Sequence, residues 1–88
     1  MKDIEELRKE IDAIDSKLVG LFEDRMDLAL RIAMYKKENN MEVLNSSREE
    51  QVISKAKEQL RNKNLNDSVE KFLKCIMQIS REIQSEKL

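Results

Sequence analysis

The stretch IEELRKEIDAIDSKLVGLFEDRMDLALRIAMY, Ile4 to Tyr35, places apolar side chains at Ile4, Leu7, Ile11, Ile14, Leu18, Leu21, Leu28, Ile32 and Tyr35. Their spacing alternates between three and four, and Arg25 fills the one vacant place in the repeat. Residues three and four apart share a helix face, so the pattern predicts one long amphipathic helix that buries this seam. Asp3 is placed to cap it, and Glu5 and Glu6 favour its first turn. Gly20 is its one weak point, costing roughly 1 kcal/mol relative to Ala. The predicted helix runs from Asp3 to Glu38.

Beyond it, Asn39 to Asn45 loses the periodicity and is rich in turn formers, which predicts a loop. Ser46 with Glu49, and Ser47 with Glu50, have the capping-box spacing of a second helix. That helix carries Val52, Ile53, Ala56 and Leu60 and fades through Arg61 to Asn66. Asp67 with Glu70 predicts the start of a third, striped by Val69, Phe72, Leu73, Ile76, Met77 and Ile83. The expected fold is all-α, with one long and two shorter helices. A first helix some 50 Å long has only two short ones to shelter it. The other side of its seam calls for a second copy about a twofold axis, so an intertwined helical homodimer is expected.

Composition agrees with long amphipathic helices. Charged and hydrophobic residues each make up 40% of the 88 residues, with one Gly and no Pro. The length is that of one small domain, residues 1–88, at a size where oligomerisation often completes the core. Lys plus Arg number 17 against 18 for Asp plus Glu, so no general field draws the chain to nucleic acid or to an anionic membrane. The aromatics are Phe22, Tyr35 and Phe72, too few for a base-stacking platform. A charged amino terminus with no continuous apolar run predicts neither a signal peptide nor a membrane span, and a cytoplasmic location. Cys75 has no second Cys to pair with, and with no His in the chain neither a thiol–imidazole nucleophile nor a zinc site is expected. Cys75 reads as a small packed residue.

Polar residues interrupt the apolar faces of all three helices. Lys36 lies eleven residues after Arg25, three turns and a few degrees, so the two point the same way. Arg48 and Glu49 precede Val52 and Ile53 by four, while Ser80 and Gln84 continue the Ile76 stripe at intervals of four. Each has an ordinary structural account: cap and solvated surface for Arg48 and Glu49, a bond back to a helical carbonyl for Ser80, a frayed end for Gln84, snorkelling for Lys36, a neighbouring Asp for Arg25. Together, several cations, a carboxylate, an amide and a hydroxyl suit a small dicarboxylate bearing a hydroxyl, since the planar Arg fork pairs with carboxylates. The sequence has no metal cluster and no Gly-rich phosphate loop, so no cofactor is expected. Restraint and charge stabilisation would suffice for such chemistry. Arg8 stands about 25 Å up the same helix from Arg25, roughly a quarter turn away, and must serve another place or another chain's site.

At these residues the chain resembles the all-helical chorismate mutase family, the AroQ class, which converts chorismate to prephenate. The likeness is carried by Leu7-Arg8 followed by Ile11-Asp12-Ala13-Ile14-Asp15, then Arg25, Lys36, the Arg48-Glu49 pair, and Ser80 with Gln84. One departure is Asn45, where the family usually has Asp. The resemblance implies that Arg25, with Arg8 of the partner subunit, holds the two carboxylates of chorismate, assisted by Arg48 and Ser80. It implies that Lys36 and Gln84 bracket the ether oxygen, and that Glu49, with the backbone near Asn45, binds the ring hydroxyl. Two other readings fit the same residues: an isochorismate pyruvate lyase of the same architecture, and a non-catalytic helical dimerisation module. The module would leave the shared inward phase of Arg25 and Lys36 without a reason.

Overall fold

Asp3 begins the first helix: its Oδ1 accepts from the Glu6 amide at 2.9 Å, and α1 follows over Ile4–Glu38. The structure, a computed structural model, describes residues 3–42 and 44–87. Val43, in the predicted loop, lies outside the described residues. α1 passes through Gly20 unbroken and ends where three consecutive features agree. Asn40 adopts φ 56°, in the left-handed region that Asn tolerates. The Met41 amide donates to the Lys36 carbonyl at 2.8 Å, and the Asn40 amide to the Lys37 carbonyl at 3.3 Å. This is a Schellman closure, which satisfies carbonyls that the last turn would otherwise leave unpaired. It also fixes the turn that carries Lys36.

α2 spans Ser46–Gln59, and its N-cap differs from the expected capping box. Asn45, not Ser46 or Ser47, caps the helix, its Oδ1 accepting from the Arg48 amide at 3.0 Å. Asn is as good a cap as Ser, and the chain enters the helix through an extended Asn45 backbone. At the other end, the Lys63 ammonium donates to the carbonyls of Lys57 and Glu58 at 2.5 and 3.2 Å. The expected loop over Arg61 to Asn66 contains a 3-10 turn at Lys63–Leu65, capped by Asn62. Because that turn already coils the chain, α3 starts at Asn66 and runs to Lys87, with Asp67 in its first turn rather than at its cap.

α3 is the central element, packed on both α1 and α2. The buried side chains are Met26, Ala29 and Ala33 from α1 with Met77, Ser80 and Gln84 from α3. Small residues at Ala29 and Ala33 let α3 approach closely, and Ala33 is 0% exposed. α2 is tied to α3 partly by charge. Glu70 accepts from Lys57 at 2.5 Å and from Lys74 at 2.8 Å, and these two ammonium groups, Lys57 first, hold its carboxyl down at about 2. A carboxylate whose pKa is depressed on folding adds stability above its unfolded value, about 4.5, that is lost as pH falls toward 2. Acid titration of the unfolding midpoint should therefore be shallower in Glu70→Gln than in the parent chain over that window. Equal slopes would show that the pair contributes nothing.

The seam that defined α1 stays uncovered by its own chain. Ile4, Leu7, Ile11, Ile14, Leu18, Leu21, Leu28, Ile32 and Tyr35 are all exposed, and Phe72, expected on the packed stripe of α3, is 50% exposed. Leu18, Leu21 and Phe22 meet Phe72, Ile76 and Ile79 around an apolar groove of about 520 Å³, and Cys75, expected to be packed, is exposed at its edge. The accessible surface is 7471 Å², whereas a compact monomer of this size exposes about 5,400 Å². The radius of gyration is 16.2 Å rather than about 12 Å. Among the described residues, no helix is long and apolar enough to cross a membrane.

Candidate functional site

One cavity of about 300 Å³ opens between the C-terminal half of α1, the start of α2 and the end of α3. It is lined by Arg25, Lys36, Asn45, Arg48, Glu49, Ser80, Arg81 and Gln84, with Leu28, Ala29, Ile32, Val52 and Met77 as its apolar walls. The structure thus brings together every residue picked out from the sequence except Arg8. Arg8 lies far up α1 and forms an exposed pair with Glu5 one turn away, at 3.0 Å. Such a pair is worth little in water and leaves the guanidinium available to another partner.

Each polar side chain is placed by an identifiable contact. Ser80 donates to the Ile76 carbonyl at 2.9 Å and accepts from Arg25 Nη1 at 3.1 Å. The back-bond expected of a helical Ser is therefore present, and it leaves the hydroxyl oxygen free to orient the Arg25 fork. Gln84 is buried, and its Nε2 donates to the Ala29 carbonyl at 2.8 Å. A carbonyl accepts only from a donor, so this bond fixes which end of the amide faces α1, and the second N–H of that nitrogen remains for a ligand. Asn45 spends its side-chain oxygen on the α2 cap. Asp would cap equally well, so Asn45 preserves the helix start while removing one negative charge from the cavity rim.

The field inside is strongly positive. Four cations, Arg25, Lys36, Arg48 and Arg81, face one carboxylate, Glu49. The α2 N-terminus adds its own partial positive charge where Asn45, Arg48 and Glu49 meet the cavity. Arg81 was not evident as a site residue in the sequence. Its signal was its place four after Met77 and three before Gln84, on the edge of the inward stripe. In the structure its Nη1 donates to Glu49 Oε2, joining α3 to α2 across the cavity. Among the described residues no cluster of His, Cys, Asp or Glu is arranged to hold a metal ion.

Comparison with known proteins points to one family. The pattern of the family described as chorismate mutase type II matches residues 7–85. Over 55 residues, 62% of the chain, the sequence is 38% identical to the bifunctional chorismate mutase/prephenate dehydratase of Aquifex aeolicus (strain VF5). The chain spans 15% of that relative's length. No solved structure matches the chain significantly.

Proposed function

The chain belongs to the chorismate mutase type II family, a family of isomerases, and on that premise we propose that it rearranges chorismate to prephenate. The carrying observation is the convergence of Arg25, Lys36, Arg48, Ser80 and Gln84 from three helices on one cavity, at the small end of the size range of ligand sites. Its excess of positive charge suits a dicarboxylate, and Glu49 supplies an acceptor for a hydroxyl. Arg25, oriented by Ser80, and Arg48 hold carboxylates; Arg8 of the partner subunit completes the grip. The exposed α1 seam and the surface in excess of a compact monomer, about 2,000 Å², support a homodimer, because obligate dimers commonly bury that much or more. In aromatic amino acid synthesis such an enzyme would act in the cytoplasm.

The reaction needs no nucleophile. Held in a folded conformation, the enolpyruvyl arm lies over the ring, the ether C–O bond breaks as a new C–C bond forms, and negative charge gathers on the ether oxygen. Lys36 and Gln84 donate to that oxygen. Restraint removes the entropy of reaching the reactive conformation, and preorganised donors lower the energy of the charge that develops.

Gln84→Glu tests the second donor. At neutral pH a carboxylate in that place would face both the Ala29 carbonyl and the developing anion, and it could donate to neither. Activity should survive mainly at acid pH, and below that of the parent, since one acid proton must serve where two N–H groups did. A flat pH profile would contradict the contact. The function itself is tested by giving the purified protein chorismate and, separately, isochorismate, with a chelator present. Prephenate from chorismate is expected. Pyruvate from isochorismate with no prephenate would assign the lyase instead, and no reaction with either would leave a dimerisation module.

A further inference from the structure

Glu49 is the one carboxylate on a cavity wall that also carries Arg25, Lys36 and Arg48. Left alone, it would turn toward those cations and occupy the groups that a dianionic ligand needs. The structure prevents this from the opposite helix. Arg81 Nη1 binds Glu49 Oε2, and the two side chains are 37% and 30% exposed, buried enough that the pair is only partly screened. Oε2 is engaged by Arg81, so one oxygen of the carboxylate is anchored on the side of α3 and the carboxylate is held in one orientation.

We infer that Arg81 is a positioning residue, which holds the Glu49 carboxylate away from the substrate-binding cations and aims its second oxygen at the ring hydroxyl of the substrate. The inference rests on the reading of the site as one for chorismate. Arg81 also offsets the charge of Glu49, so that the carboxylate can accept a hydroxyl bond without repelling the dianion beside it. Discrimination in favour of a hydroxylated substrate therefore depends on α3 as well as on Glu49.

The test compares kcat/KM for chorismate with that for an analogue lacking the ring hydroxyl. Arg81→Met keeps the aliphatic stem and removes the fork; Arg81→Gln is the second variant should the first fold poorly, and circular dichroism monitors both. The preference for chorismate should fall about tenfold in either, the loss expected for one hydrogen bond to a charged group, while Arg81→Lys retains most of it. Glu49→Gln should lower the same ratio, and adding Arg81→Met to it should lower the ratio no further, because the two act as a unit. An unchanged ratio in Arg81→Met and Arg81→Gln, with both substrates slowed equally, would reduce Arg81 to a structural tie and overturn the inference while leaving the mutase reading intact. Failure of the parent protein to convert chorismate would instead remove that reading, and the inference with it.

Discussion

Lys36→Ala should lower chorismate turnover by about two orders of magnitude or more, with the helical circular dichroism spectrum unchanged. Lys36 is half-buried on the last turn of α1, and the Schellman closure at Asn40 and Met41 holds that turn in place. Lys36 lines the same cavity as Gln84. A donor already in position costs no reorganisation when charge appears on the ether oxygen, and in a partly dehydrated cavity its attraction is stronger than in water. Arg25 and Arg48 cannot stand in for it if both are committed to carboxylates. A lysine that merely complemented the helix C-terminus would contribute roughly 0.3–1 kcal/mol of stability and nothing to rate. Steady-state kinetics separates the two, and near-normal turnover in Lys36→Ala would remove Lys36 from the mechanism.

The parts of this molecule that were legible in the sequence are those set by local spacing. The three-and-four repeat from Ile4 to Tyr35 and the Asp3 cap sufficed for α1 because a helix face and a cap depend on neighbours a turn away. The candidate site was legible for a related reason: Arg25, Lys36, Ser80 and Gln84 each interrupt an apolar face at helical spacing, and in the structure all four line one cavity. Facts that depend on distant partners were not legible. Periodicity shows which face is apolar but not what covers it, so the strip of α1 buried by its own chain proved to be Met26, Ala29 and Ala33, chosen by the close approach of α3. Arg81 is a charged residue whose meaning lies in Glu49, 32 positions earlier on another helix. At the helix starts, several good caps stood side by side, and the backbone path decided: an extended Asn45 capped α2, and the 3-10 turn at Lys63–Leu65 made a cap at Asp67 unnecessary.

Arg8→Ala should be nearly inactive although Arg8 reaches nothing in its own chain's cavity. The cavity of one chain supplies Arg25 and Arg48 for carboxylates, and a second strong Arg grip is expected from the other subunit, where α1 extends beyond its own fold. Losing a charged, paired contact to the substrate costs far more than losing the exposed Arg8–Glu5 pair, which contributes little to folding. Stability should therefore be nearly unchanged while kcat/KM collapses.

A single dianion site assembled from two chains would be restored by mixing the two inactive variants. In Arg8→Ala and Lys36→Ala homodimers every site lacks one required cation. In a mixed dimer one site collects both defects, and the other takes Arg8 from one chain and Lys36 from the other and is complete. Refolding equal amounts together gives mixed dimers in about half the population with half of their sites intact, so chorismate consumption should recover to roughly a quarter of the parent value. Recovery no greater than the sum of the separate variants, in a sample whose mixed dimers are verified by mass, would contradict a shared site.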